Sequence, residues 1–305
     1  MGRKIMELEQ KEELVDLLTD ASVIAGGFPR VVDAKISGDQ CVTVIGDTHG
    51  DIDTVKKIER QFFQGQENAA GDRLLFLGDY VDRDVRDIEN INYILNLLVK
   101  YPNKVILLRG NHEEYFINAD YGFLDNLERQ GIGDYYGLYE EVFKRLPLAC
   151  FLHDMSIFCC HGMTPVEITT IADINKLEKT ARLGNFEPIM MQLLWNDPQA
   201  EDDESSFPSL RGVGFTVGRQ DLDGFMAANG INLVIRSHQA FPEGYRFLFD
   251  RKVLSIFSRP NYGINTNDAT IARVHGDGRV DVLKASTEDE KFSIIDTLKL
   301  EIPGS

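Results

Sequence analysis

Residues 41–50 read CVTVIGDTHG, in which an apolar run ends directly in polar side chains. Three other stretches follow apolar runs in the same way: GDYVDR at residues 78–83, GNHE at residues 110–113 and HG at residues 161–162. The four apolar runs, residues 41–45, 73–77, 104–108 and 156–160, predict buried strands. Each polar cluster then lies at the C-terminal end of a strand, where open α/β proteins place their chemistry.

Four of the six histidines, His49, His112, His161 and His238, lie in these clusters or in the stretch RSHQ at residues 236–239. Imidazole nitrogen combined with carboxylate and amide oxygen favours manganese, iron or zinc, whereas sites built only of oxygen favour magnesium or calcium. The chain has no Cys-x-x-Cys pair, so we do not expect a structural zinc ribbon. The pattern therefore indicates a phosphoester hydrolase that uses two metal ions.

Length and composition predict a single catalytic domain. The 305 residues are 43% hydrophobic and 10% aromatic, which is enough to build a sizeable core. We expect an N-terminal helical segment at residues 1–40, a catalytic core at residues 41–285 and a tail at residues 286–305. All four cysteines lie in apolar stretches and no signal peptide is visible, which predicts reduced thiols and a cytoplasmic location. No apolar run of about 18 residues occurs, so we expect no membrane span.

The chain is strongly acidic, with a formal net charge of -17 and a pI near 4.8. This charge argues against nucleic acid as a partner, because phosphate backbones attract clustered lysine and arginine. It would favour basic peptide substrates, or it could serve solubility alone.

The pattern along the chain predicts an α/β fold, an α+β sandwich of two mixed β-sheets flanked by helices. A helix at residues 7–25 ends at Gly26 and Gly27, and helices at 52–63 and 88–99 complete two consecutive βαβ units. We expect residues 115–146 to be mostly helical and residues 201–206 to form a solvated acidic loop. Strands at 233–235, 253–257, 270–274 and 280–283 follow, with a hairpin turn at 276–278. The tail adds an edge strand, docks in a groove, or is a mobile terminus.

Five further motifs follow in order: LRGNHE at 108–113, LWNDP at 194–198, RGVGFT at 211–216, RSHQ at 236–239 and PNY at 260–262. With these motifs the chain resembles the phosphoprotein phosphatases, the serine/threonine type that includes type 1 and type 2A protein phosphatases and calcineurin. The resemblance covers roughly residues 40–285. It implies the calcineurin-like metallophosphoesterase fold and metal-dependent hydrolysis of phosphoserine and phosphothreonine by direct attack of a metal-bridging water or hydroxide.

The resemblance also implies two divalent metal ions per chain, with Asp79 bridging them. The implied metal ligands are Asp47, His49, Asp79, Asn111, His161 and His238. Manganese is the metal expected in the purified protein, and iron or zinc would fit as well.

His112 resembles the general acid that protonates the leaving oxygen, and Asp82 resembles its orienting partner. The implied catalytic residues are His112, Asp82, Arg83, Arg211 and Tyr262, and the implied phosphate-binding residues are Arg83, Asn111 and Arg211. Arginine suits this role because its planar fork meets two phosphate oxygens at once.

Several positions depart from the family pattern. Asp84 replaces the glycine that usually follows the Asp-Arg pair, Arg259 precedes Pro260, and residues 161–165 read HGMTP where the family has HGGLSP. Gly263 stands where type 1 and type 2A enzymes carry a cysteine, which should prevent covalent capture there by cyclic toxins. No implied metal ligand is lost, so the departures leave substrate preference open rather than activity.

Two other functions remain open from the sequence. A related metallophosphoesterase could act on dinucleoside polyphosphates or cyclic nucleotides, and a non-catalytic phosphate-binding or scaffold protein could keep the same fold. The expected partner is a phosphoprotein or phosphopeptide, a regulatory protein could bind as well, and neither nucleic acid nor a membrane is expected.

Overall fold

The computed structural model describes residues 7–36, 38–63, 71–167, 169–179, 187–199 and 204–301. The helices are α1 (Leu8–Gly27), α2 (Ile52–Phe62), α3 (Asp87–Lys100), α4 (Tyr115–Tyr121), α5 (Phe123–Arg129), α6 (Tyr136–Arg145), α7 (Ile171–Ile174), α8 (Pro188–Trp195) and α9 (Arg219–Asn229). The strands are β1 (Val31–Ala34), β2 (Cys41–Ile45), β3 (Arg73–Phe76), β4 (Val105–Leu107), β5 (Ala149–Leu152), β6 (Ile157–Cys160), β7 (Asp197–Pro198), β8 (Phe207–Pro208), β9 (Phe215–Val217), β10 (Leu233–Arg236), β11 (Tyr245–Leu248), β12 (Val253–Ile256), β13 (Ala269–His275), β14 (Arg279–Ala285) and β15 (Ser293–Lys299).

Two mixed six-stranded sheets form the centre of the fold. One has the strand order β1-β5-β6-β10-β12-β11, and the other has the order β15-β14-β13-β2-β3-β4. Within them, β6, β10 and β12 are parallel to one another, as are β2, β3 and β4. A small third sheet has the strand order β7-β9-β8 and shares no strand with the other two. The predicted sandwich of two mixed sheets is confirmed.

Alternating side chains on the central strands explain the layers. Val42 and Val44 on β2 pack in the core between the two sheets, with Ile157 on β6 and Leu254 on β12. Ile45 instead packs on the outer face, in a cluster with residues of α1, α2, α3 and α6. A third cluster joins the other sheet to α8 and α9. Because each strand alternates its side chains between faces, this pattern gives helix, sheet, sheet and helix layers.

Most predicted elements are confirmed with ends shifted by one or two residues. The two βαβ units are β2-α2-β3-α3-β4, and the predicted hairpin joins β13 to β14, with Gly278 in the left-handed region at φ 85°. The tail contributes β15, which pairs with β14 at the edge of its sheet. Strands β1, β5 and β11 and the small sheet were not predicted. Residues 201–203 of the predicted acidic loop lie outside the described residues.

Candidate active site

The candidate site lies at the edge where parallel strands of both sheets end. The loops after β2, β3, β4, β6, β10 and β12 carry every site residue predicted from the motifs except Arg211, which lies between β8 and β9. Nine of the eleven predicted residues line one cleft of about 420 Å³, and Asp82 and His161 lie buried beneath it. The nine are Asp47, His49, Asp79, Arg83, Asn111, His112, Arg211, His238 and Tyr262.

A larger groove of about 1030 Å³ lies between α2 and residues 287–291. Its lining alternates acidic and basic side chains and contains no histidine among the described residues. Of these two, the smaller cleft is therefore the candidate active site, because it combines buried carboxylates with imidazoles.

Asp79 stands between two groups of potential metal ligands. On one side, its Oδ2 lies 3.5 Å from Nε2 of His49, and that same nitrogen lies 3.8 Å from Oδ2 of Asp47. On the other side, its Oδ1 lies 3.3 Å from Nε2 of His161. Each oxygen of this carboxylate thus faces a different group, so Asp79 could contribute to both.

The second group closes around His161. Its Nε2 lies 2.9 Å from Oδ1 of Asn111 and 3.1 Å from Nδ1 of His238. The other ring nitrogen of His238, Nε2, is buried and has no hydrogen-bond partner among the described residues. These nitrogen and oxygen atoms lie close together and few of them carry a proton, so their lone pairs could bind a cation.

Backbone carbonyls fix the orientation of two of these imidazoles. Nδ1 of His49 donates to the carbonyl oxygen of Val81 at 2.8 Å, and Nδ1 of His161 donates to that of Leu77 at 3.1 Å. Since a carbonyl can only accept, Nδ1 carries the proton and Nε2 presents its lone pair to the carboxylates. Hydrogen bonds of this kind orient metal-binding histidines in proteins.

Burial makes the charges of this cluster unfavourable when no cation is present. It raises the pKa of the Asp47 and Asp79 carboxyls, and for Asp79 the nearby Asp47 charge adds to the effect. It also lowers the pKa of the His49, His161 and His238 imidazoles well below their usual range. The imidazoles are therefore neutral, and a bound cation would favour the ionised carboxylates. The donor set fits a divalent metal of the manganese, iron or zinc class.

Glu113 holds the turn that presents Asp79. Its carboxylate accepts hydrogen bonds from the backbone N–H groups of Asp79 at 2.9 Å, Tyr80 at 2.9 Å and Gly110 at 2.8 Å. Asp79 has a φ of 55° and Asp82 a φ of 66°, both in the left-handed region. Such a backbone costs about 1–2 kcal/mol per residue, and the bonds to Glu113 help to offset it.

His112 lies beside the candidate metal ligands, and its ring is held by Asp82. Its Nδ1 lies 2.7 Å from Oδ2 of Asp82, and that oxygen also accepts from the Asn118 amide at 2.9 Å. Oδ1 of Asp82 accepts from the backbone N–H of Phe123 at 2.9 Å. Burial lowers the pKa of His112 to about 3, with a further contribution from the Arg83 charge, and burial raises the pKa of Asp82 to about 7. A phosphate dianion in the cleft would oppose the lowering at His112, because it favours the imidazolium.

Two arginines, Arg83 and Arg211, line the cleft. The Arg83 guanidinium carbon lies 3.9 Å from the centre of the Tyr121 ring, a cation–π arrangement. Nε of Arg211 donates to Oδ2 of Asp197 at 2.6 Å, and the other oxygen of Asp197 accepts from the buried Arg236 at 3.0 Å. Each guanidinium group is thus held by one side-chain contact, and further N–H donors remain for a phosphate.

Tyr262 covers His49. The two rings are stacked, with centroids 5.2 Å apart and planes inclined by 10°. Arg259, three residues earlier, donates to the carbonyl oxygen of His49 and to Oδ2 of Asp84, the latter at 2.8 Å. Two of the departures from the family pattern, Asp84 and Arg259, are thus partners in one ion pair.

Several cleft residues were not predicted as site residues. Trp195, Tyr121 and Phe241 line the cleft, and the Trp195 indole N–H is buried without a hydrogen-bond partner among the described residues. Trp195 lies within a family motif, but the sequence around an aromatic residue does not show whether it lines a cleft or packs in the core. Asn118 and Glu113 were missed because hydrogen bonds across loops leave no periodic signal.

Comparisons with known proteins show the family of the chain. Residues 42–242 match the calcineurin-like phosphoesterase family. This chain belongs to that family. The chain is 36% identical over 225 residues to the serine/threonine-protein phosphatase 4 catalytic subunit of Candida glabrata, covering 73% of this chain and 70% of the relative. It is 33% identical over 240 residues to the serine/threonine-protein phosphatase 6 catalytic subunit of Caenorhabditis elegans, covering 78% and 70%.

A solved structure gives the same assignment. A protein serine/threonine phosphatase from Saccharomyces cerevisiae, with similarity to human phosphatase PP5, superimposes with a TM-score of 0.81 at 28% identity. The match covers 96% of this chain and 91% of that one. The calcineurin-like fold and the resemblance to phosphoprotein phosphatases are therefore confirmed. Enzymes of this family use divalent metal ions, and the described residues supply groups able to bind them.

No helix in the described ranges is long and apolar enough to cross a membrane. The four cysteines, all predicted to be core thiols, are buried and unpaired.

Proposed function

We propose that this phosphatase hydrolyses phosphoserine and phosphothreonine in proteins. The observation that carries the proposal is the position of Asp79 between two ligand groups, with the His112–Asp82 pair and two arginines facing the same cleft. The named relatives, which are serine/threonine phosphatases, support this substrate class. A regulatory protein as a second partner and a cytoplasmic location also remain part of the proposal.

We propose two divalent metal ions, most readily manganese in the purified protein, with iron or zinc also suited to the donors. Asp47, His49 and Asp79 would hold one ion. Asp79, Asn111, His161 and His238 would hold the other. When bound, the ions would lower the pKa of a shared water and so supply the nucleophile.

The remaining site residues would act on the phosphate and its leaving group. Arg83 and Arg211 would bind the phosphate oxygens, with the Asn111 amide beside them, and stabilise the charge that develops in the transition state. His112 would donate its proton to the departing serine or threonine oxygen, while Asp82 holds the ring and supports its positive form. Tyr262 would close the cleft over His49.

The test is phosphate release from a phosphothreonine peptide by metal-stripped protein, with manganese added back and His112→Asn run in parallel. Wild type should regain activity with manganese. We expect His112→Asn to lose about 10²–10⁴ of the rate with this substrate. Its loss should be much smaller with p-nitrophenyl phosphate, because nitrophenolate leaves without help from an acid.

An equal loss with both substrates would contradict the role of His112. Faster cleavage of a dinucleoside tetraphosphate than of any phosphopeptide would contradict the substrate class. Absence of turnover with every divalent metal would favour the scaffold alternative.

A further inference from the structure

Exposed hydrophobic side chains are concentrated on the segments of chain that carry cleft residues. Of ten large ones that are exposed in the described ranges, seven lie on segments that also carry cleft residues or directly follow them. These seven are Val85, Tyr115, Phe116, Tyr121, Phe207, Leu210 and Ile264. The other three are Val23 on α1 and Ile294 and Ile295 on the edge strand β15. Single exposed apolar residues are common on protein surfaces, but a group around one site indicates binding.

Two of the seven protrude from ordered turns. Leu210 is 99% exposed and directly precedes Arg211, in a turn closed by a hydrogen bond from the Gly212 N–H to the Ser209 carbonyl at 3.0 Å. Ile264 is 101% exposed and lies in a turn closed by a hydrogen bond from the Asn265 N–H to the Tyr262 carbonyl at 3.0 Å. Neither side chain packs in the core. Burial of apolar surface on folding therefore does not account for a large apolar residue at either position.

Val85 stands next to the Ile264 turn. It is 72% exposed and lies two residues after Arg83. Its neighbour Asp84 is joined to Arg259 of the Ile264 loop by the 2.8 Å ion pair described above. The cleft therefore has a charged floor and an apolar rim, with Leu210 on one loop and Val85 and Ile264 on two joined loops.

We propose that this rim binds apolar side chains of the substrate on either side of the phosphorylated residue. The inference rests on the proposed function, because the phosphate must anchor the substrate at the cleft floor. An extended peptide advances about 3.3–3.6 Å per residue, so residues two or three positions from the phosphate reach about 7–10 Å outward, beyond the floor and toward the rim. The preferred substrates are thus apolar-flanked phosphopeptides, in contrast to the basic ones that net charge alone would favour.

The test compares three phosphothreonine peptides that differ only at two positions on each side, which carry leucine, serine or lysine. For wild type, kcat/KM should be about tenfold higher with leucine than with serine. Leu210→Ser and Ile264→Ser should each reduce that ratio about threefold, and the double variant should bring it near one. Val23→Ser and Ile294→Ser are matched controls on distant surfaces and should leave the ratio and the activity as in wild type.

Equal kcat/KM for the leucine and serine peptides would overturn the rim proposal and leave the phosphatase function intact. A preference for the lysine peptide would likewise overturn it in favour of charge attraction. Failure to hydrolyse all three peptides and p-nitrophenyl phosphate would refute the proposed function itself, and the rim proposal with it.

Discussion

Arg259→Met should loosen the candidate metal site although Arg259 itself is no predicted ligand. The guanidinium joins three loops, since it donates to the His49 carbonyl after β2 and to Asp84 after β3, and itself follows β12. Its side chain is 17% exposed and that of Asp84 is 27% exposed, so water screens the pair only in part. Methionine keeps most of the apolar stem and removes both hydrogen bonds.

The size of the effect follows from those two bonds. A hydrogen bond to a charged group contributes about 1.5–3 kcal/mol, and partial exposure reduces the contribution of the ion pair. We therefore expect a loss of about 2–3 kcal/mol in the free energy of unfolding. For a chain of this length, that corresponds to a fall in Tm of about 5 °C. Because the His49 backbone loses a support, manganese affinity should fall about tenfold.

The assays are thermal unfolding of the metal-free protein and calorimetric titration with manganese. Arg251→Met is the matched control, because Arg251 also pairs with a carboxylate, Asp296, at 3.1 Å but lies at the opposite end of β12. Arg259→Lys should restore part of the Tm, since an ammonium keeps the charge but cannot match the planar fork. If Arg259→Met binds manganese as tightly as Arg251→Met does, the reasoning is wrong.

Three further predictions concern stability. Glu113→Gln should cost about 2–4 kcal/mol in denaturant unfolding, because its amide NH₂ must face at least one of three backbone N–H groups; an unchanged midpoint would contradict this. Gly46→Ala should cost about 1–3 kcal/mol and weaken manganese binding, because its Cβ would lie 2.6 Å from Oγ of Ser237, which hydrogen-bonds to Asp47. Burial and nearby Arg279 lower the pKa of His275, so below about pH 6.5 the unfolded chain takes up that proton first and stability falls. The Tm of His275→Asn should therefore fall less than that of wild type when the pH is lowered from about 7.5 to about 5.5. Equal falls in Tm would refute the assignment of this pH dependence to His275.

The sequence allowed prediction of those parts of the fold that leave local patterns. Apolar runs that end in polar clusters gave β2, β3, β4 and β6, and a glycine-rich turn gave the β13–β14 hairpin. Strands β1 and β5 were not predicted, because neither is followed by a cluster of candidate site residues, although they are as long as β3 and β6. The partition of strands between two sheets also escaped, because sheet order depends on contacts between distant segments.

The residues of the candidate site likewise include some that local sequence patterns reveal and some that they do not. Residue types and spacing singled out Asp79 and His238, which the structure places in one cleft. The spacing did not reveal that Asp84 and Arg259, noticed only as departures, bind each other across 175 positions of sequence. The spacing also did not show that Trp195 lines the cleft, because cleft walls and cores are built from the same aromatic residue types.

The candidate ligands come from both sheets, and this has a consequence for biogenesis. Asp47, Asp79 and Asn111 follow strands of one sheet, whereas His161 and His238 follow strands of the other. During synthesis, the emerging chain lacks two of the four candidate residues of the second group until His161 has left the ribosome, and one of them until His238 has followed. Premature capture of a wrong metal ion by a nascent N-terminal half is thereby limited to three or four loosely held donors. If the proposed ligands are right, both metal sites are complete only after the two sheets have docked.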